Sequence, residues 1–191
     1  MKLSHSIACT GFIVVLSVPA IPLGAAQSQA PSAAAAGNPI SEAIRDAWSG
    51  AKRNLTESAE QMPEPDYAFR PTEQVRTFGQ ILAHVAGANY VFCSTARGEK
   101  SPFEEDQFEK NAKTKAEIVK ALNDSITYCD GAYTALTDRS AGETVTMPFN
   151  MGTKARGYSL ILNAGHLQEH YGNLVTYFRI KGMVPPSSKR Q

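Results

Sequence analysis

At 191 residues, 42% of them hydrophobic, the chain has the length and apolar content for one domain with a single core, and no case arises for two. Its 19 basic and 18 acidic residues are interspersed, and removal of the N-terminal leader described below takes away only Lys2, which leaves a formally neutral protein. Without a basic stripe there is no electrostatic footprint for nucleic acid, so no DNA or RNA partner is expected.

The first residues carry one lysine and lead into an apolar run from Ile7 to Leu23, followed by Gly24, Ala25 and Ala26. This is the layout of a secretory signal peptide over residues 1–26, with cleavage after Ala26. An uncleaved membrane anchor fits less well, because Pro19 and Pro22 interrupt a run that is already short for a span. The expected product is an exported protein, periplasmic or secreted, with no stable membrane span after processing. Cys9 and His5 leave with the leader. Cys93 and Cys129 remain, and in an oxidising compartment they either pair or serve as two buried small hydrophobes.

Residues 27–37 are Ala, Ser, Gln, Pro and Gly without periodicity, and are expected to form a disordered tether. The folded domain is expected over residues 38–186. Asn38-Pro39 provides an N-cap with proline at the first helical position, and Ile40, Ala43, Ile44, Ala47, Trp48, Ala51, Leu55, Ala59 and Met62 follow the helical period up to Pro63. After an irregular connection, Thr77 with Gln80 forms a capping box. It opens a second helix striped by Phe78, Ile81, Leu82, Val85, Asn89 and Phe92 and ending near Arg97-Gly98, with His84 on the shoulder of the stripe. Residues 98–113 are polar and predict a long loop. Helix 2 is roughly 30 Å long, and a loop of this size spans that distance, so the third helix is able to run parallel to the second.

Thr114 and Glu117 form another capping box, before a helix striped by Ile118, Val119, Leu122, Ile126, Cys129, Tyr133 and Leu136. In a parallel arrangement Cys93 and Cys129 lie at similar heights, which makes a disulfide geometrically accessible. Residues 137–157 predict a loop with a short hairpin, and a fourth helix runs from about Tyr158 to Lys181, ending at Gly182 and Pro185-Pro186. Residues 187–191 are expected to be a mobile tail. The sum is an all-α four-helix bundle.

The chemistry concentrates in the fourth helix, in NAGHLQEHYGNLVTY, where Asn163, His166, His170, Asn173 and Tyr177 recur at intervals of three and four along one face. Two imidazoles one turn apart close on a single metal ion, and the only other histidine of the mature chain is His84. If His84 meets the pair across the helix interface, the result is a three-histidine site with room for water or substrate in the fourth position. His166 to His170 also spells H-x-x-E-H, the inverted zinc-peptidase pattern, but no Asp or Glu follows His170 to supply a further ligand. Glu169 is therefore a solvated side chain by default, and with Asn163, Asn173 and Tyr177 a candidate for groups around the ligands or against a substrate.

The segments TFGQILAHVAGANY and HYGNLVTYFRIKGMVPP, with H-x-x-x-H between His166 and His170 and FRPTEQVRTFGQ upstream, resemble the DinB-like (DinB/YfiT) family of metalloenzymes over roughly Ile40 to Pro186. The resemblance implies a four-helix bundle of up-down-down-up topology and a divalent metal held by His84, His166 and His170. It also implies a possible homodimer, and relatives that are thiol-dependent transferases or isomerases, or hydrolases. Zinc is the expected metal, with nickel and iron also suited to imidazole. The function expected is activation of water or a thiol for hydrolysis or group transfer on an unknown small-molecule substrate; the alternative is a non-catalytic metal-binding or structural bundle.

Overall fold

The computed structural model describes residues 37–190, so the expected leader and nearly all of the tether lie outside the described residues. Four long helices carry the fold: α1 Pro39–Gln61, α2 Phe78–Arg97, α4 Lys115–Ala135 and α6 Arg156–Ile180. Shorter pieces connect them: a 3-10 turn Glu64–Ala68, the helices α3 Gln107–Asn111 and α5 Asp138–Ala141, and an antiparallel hairpin of β1 Thr144–Thr146 and β2 Thr153–Ala155. The loop expected after α2 thus contains a helical turn. Among the described residues, no helix is long and apolar enough to cross a membrane.

Both expected capping boxes form. Thr77 accepts from the Gln80 backbone and Thr114 from the Glu117 backbone, and each N3 side chain returns to its cap. These bonds satisfy helix-end donors that burial would otherwise strand. Helix α2 stops at Gly98, whose φ of 74° is a left-handed conformation that costs glycine nothing. The start of α1 is capped differently from expectation. Asp138 reaches across the sequence to accept from Ile40 and Ser41 backbone N–H groups, while the Asn38 side chain accepts from the Asp138 backbone.

Paired contacts give the helix directions. Asn89 meets Ser125 and Cys93 meets Cys129, so α2 and α4 run parallel. Phe92 meets Ser159 while Arg76 meets Tyr177, so α6 is antiparallel to α2. Trp48 meets Asp130 and Lys115 reaches the carbonyls of Glu60 and Met62, so α1 is antiparallel to α4. The topology is up-down-down-up. The two cysteines are joined as a disulfide with Cα atoms 5.3 Å apart, which staples the parallel pair.

Trp48 stacks on Tyr133 at 4.5 Å, and Leu55, Phe78, Leu82, Leu122, Leu160, Leu167, Leu174 and Phe178 fill the core. Complete burial of each such side chain contributes about 1.5–3 kcal/mol. Part of the expected α1 stripe stays outside this core: Ile40 is 61% exposed and Ala43 and Ala47 border a shallow apolar groove with Ile161. The segment expected to be a mobile tail folds into a 3-10 turn, Pro186–Arg190, because Tyr171 OH donates to Ser187 Oγ and accepts from its backbone N–H, and Pro185 and Pro186 are buried.

Helix α2 is the centre of the molecule. It packs on α4, α6 and α3, which covers even His84, Ala86 and Gly87. A Cβ placed on Gly87 would lie 2.7 Å from the Glu105 carbonyl carbon and closer still to its oxygen, so the crossover between α2 and α4 rests directly on bare backbone. Gly87→Ala is therefore expected to destabilise the fold by about 1–3 kcal/mol through overpacking, despite the better helix propensity of alanine. At Gly50, where an added Cβ would meet nothing within 4 Å, the same change is expected to stabilise by about 0.5–1 kcal/mol. Urea denaturation of the two variants checks the contrast; a neutral Gly87→Ala would contradict it.

Candidate metal centre

His166 and His170 project from successive turns of α6, and His84 faces them from the antiparallel α2. His84 and His170 are buried and His166 partly so. The Nε2 of His166 lies 3.2 Å from that of His84 and 2.9 Å from that of His170, and one ligand nitrogen from each of the three rings lies within 4.8 Å of the others. Nitrogens about 2.1 Å from a tetrahedral zinc are separated by about 3.4 Å, so small ring adjustments suit the cluster to one ion.

The chemistry of the donor set points the same way. A neutral imidazole nitrogen carries either one hydrogen or one lone pair. The Nε2 of His166 touches two others, so hydrogen bonding satisfies one contact well and leaves the second poorly matched. A cation takes all three lone pairs. Burial foremost, then the charge of Arg76 and of neighbouring imidazoles, pushes the His84 pKa down to about 4. For His166, burial and then His170 and His84 push it down to about 3. Burial also lowers His170, against the opposing pull of Glu169 and Glu109. All three rings are therefore neutral near pH 7, the form that binds metal. The Nδ1 atoms of His166 and His170 are buried without a protein partner among the described residues.

Two carboxylates stand beside His84, both from the crossover. Glu109 Oε2 is 3.9 Å from Nδ1 and Glu105 Oε1 is 4.0 Å from Nε2. Glu109 is held by Arg76, whose Nε donates to both carboxylate oxygens at 3.1 and 3.2 Å. At 3.9 and 4.0 Å neither carboxylate is hydrogen-bonded to His84; a carboxylate that does bond the non-ligating nitrogen of a histidine fixes its tautomer and orientation. Burial raises the Glu105 pKa, partly offset by Arg76.

A cleft of about 710 Å³ opens against His170 and is lined by Arg76, Glu109, Glu169, Asn173, Thr176 and Tyr177, among others. Three of the four residues proposed around the ligands are thus on this cleft. Glu169 and Asn173 are exposed there, and Tyr177 OH donates to the Arg76 carbonyl at 2.7 Å, which ties the preceding loop to α6. Asn163 is elsewhere. It is fully buried one turn from His166, with Nδ2 directed to Tyr133 OH at 3.3 Å and to the disulfide sulfurs at 3.6 and 3.8 Å. Phe92 stands 5.9 Å from the His166 ring and packs with Ala88 and Met147 of the hairpin region.

Sequence reasoning missed Arg76, Glu105 and Glu109. The available signal was the i, i+4 spacing of the two glutamates inside a run that also had the composition of a solvated loop.

Comparison with solved structures gives the same architecture. A DinB-like protein from Bacillus cereus ATCC 10987 superposes with a TM-score of 0.63 at 16% identity, covering 76% of this chain and 95% of that one. A candidate DinB family member from Exiguobacterium sibiricum 255-15 gives 0.59 at 20% identity, with 77% and 95% covered. A histidine-to-alanine mutant of a mycothiol-dependent maleylpyruvate isomerase gives 0.60 at 13% identity, with 70% of this chain and 60% of that one covered. No curated protein matches the chain. The model of the DinB superfamily matches residues 47–174, most of the described domain, and the chain belongs to that superfamily.

Proposed function

We propose that this protein is an exported metal-dependent enzyme whose His84, His166 and His170 hold one divalent cation, zinc in the first instance, for hydrolysis or group transfer on a small molecule. The observation that carries the reading is that an open cleft meets the histidine cluster at His170. A cation used only to stiffen the bundle needs no such access. When bound, a divalent ion at three imidazoles lowers the pKa of a water or thiol in its open position toward neutrality.

The chain's own residues supply the setting. His84, His166 and His170 offer neutral lone pairs from two rigid helices, and Glu109 stands behind His84 on the Nδ1 side. Arg76 keeps Glu109 in place and borders the cleft, and Tyr177 fixes the Arg76 backbone. Phe92 packs beside the His166 ring and joins a small apolar cluster with Ala88 and Met147. The thiol option is supported by the fold shared with the mycothiol-dependent isomerase. Export is supported by the leader pattern of residues 1–26 and by the Cys93–Cys129 disulfide, a bond that persists in oxidising compartments.

Protein purified without chelator and offered zinc is expected to retain about one equivalent per chain by elemental analysis, and His170→Ala to lose most of it. Retention by the variant equal to wild type would reject the shared site. Removal of metal exposes a second property. Unfolded imidazoles take protons near pH 6.5, whereas those of the folded chain do so only near 4 for His84 and 3 for His166. Between these values the unfolded state binds more protons, so this contribution to stability is present above about pH 6.5 and is lost as the pH falls toward about 4. Arg76 reinforces the trend, and Glu169 and Glu109 oppose it at His170. The chelated protein is expected to show a lower urea midpoint at pH 5 than at pH 7, with a smaller difference in His166→Gln.

A further inference from the structure

We propose that the crossover supplies the centre with a fourth group: Glu105 contributes its carboxylate to cation binding, which makes the site one of three histidines and one acid. The inference rests on the metal-binding reading above. Its first ground is position. Glu105 Oε1 is 4.0 Å from His84 Nε2, the nitrogen turned toward His166, whereas Glu109 lies behind the ring at Nδ1. Of the two carboxylates at His84, Glu105 is the one nearer Nε2, although it stands outside the group of three histidine nitrogens that all lie within 4.8 Å of one another.

The second ground is how firmly that position is kept. The Glu105 backbone rests on Gly87, one turn along α2 from His84, in a contact too close for any side chain at that position. On either side of it, Phe103 and Phe108 enter one aromatic cluster: Phe103 lies 4.7 Å and Phe108 5.8 Å from Tyr90 of α2, and Tyr90 lies 5.0 Å from Tyr128 of α4. The two helices of the disulfide-linked pair thus hold the crossover on both sides of Glu105. Carboxylates of solvated loops are not fixed in this way.

The third ground is an acceptor that no protein group uses. The Glu105 side chain is 34% exposed and, among the described residues, its carboxylate accepts no hydrogen bond, while the guanidinium nearby is bound to Glu109. A carboxylate that is about two-thirds shielded and has no protein donor gains from a cationic partner. A divalent cation shared with the imidazoles provides one. The 4.0 Å separation exceeds the ligand spacing of about 3.4 Å in a tetrahedral site, so Glu105 reaches the ion either by a short side-chain movement or through one water.

The test is a zinc competition titration against a chromophoric chelator, using the full chain as wild type, Glu105→Gln and Glu104→Gln. The last removes the same charge from the same segment at an exposed neighbour. Glu105→Gln is expected to bind zinc about 10–100-fold more weakly, and Glu104→Gln to stay within about threefold of wild type, as an exposed charge should. Unchanged affinity in Glu105→Gln overturns the proposal, and so does an equal loss in both variants, which would reduce the effect to net charge. A wild type that takes up no zinc rejects the histidine centre itself, a distinct outcome. Melting of the chelated variants is expected to match wild type; a parallel loss of stability and affinity in Glu105→Gln would assign the residue to the fold and overturn the proposal. Visible spectra of the cobalt-loaded proteins separate the routes: bands that move in Glu105→Gln indicate direct ligation, and unmoved bands with weakened binding indicate a bridging water.

Discussion

The parallel pairing of α2 with α4 is the constraint from which the rest of this structure follows. Two consecutive helices that run the same way cannot be joined by a tight turn, so the chain must return along the whole length of α2, roughly 30 Å for a helix of its size. The Cys93–Cys129 disulfide fixes the pairing, and the returning segment comes to rest on Gly87. Helix α2 is covered on every side as a result. His84, which on an ordinary amphipathic helix would sit at the edge of the apolar face, becomes an interior group facing α6 and overlooked by two carboxylates.

That placement sets the electrostatics of the centre. Three imidazoles enter a shielded space between antiparallel helices, where the charged forms are disfavoured and the lone pairs stay free. The acidic groups come from a different part of the chain than the histidines, with rigid helices holding the imidazoles and a pinned crossover holding Glu105 and Glu109. The cleft adds a third contribution, from the loop carrying Arg76 and the outer face of α6. The bundle thus places a histidine cluster that could hold a metal ion beside a cleft open on one side.

The fold was largely legible in the sequence because its signals are local. Helical periods, the two capping boxes and the Gly98 terminus each depend on residues within one or two turns. The histidine pair was legible for the same reason, and His84 was found as the one other histidine outside the expected leader. The carboxylates were hidden because the path of residues 98–114 is set by the Gly87 contact and by the ring cluster of Tyr90, Phe103, Phe108 and Tyr128, none of them neighbours in sequence. Asn163 illustrates the opposite error: it shares the spacing of His166 and His170, yet the helix face is wide enough that one turn away the side chain meets α4 and the disulfide instead. The turn of residues 186–190 was not foreseen because polar composition alone does not reveal that Ser187 meets the Tyr171 hydroxyl.

The central claim is that the three imidazoles of His84, His166 and His170 share one ion. Anomalous diffraction at the zinc edge, from crystals grown at neutral pH with zinc present, tests it directly. The account predicts one strong peak about 2.1 Å from the Nε2 atoms of His84, His166 and His170. Density for zinc elsewhere on the molecule, with the three rings in hydrogen-bond contact and no peak between them, would contradict it.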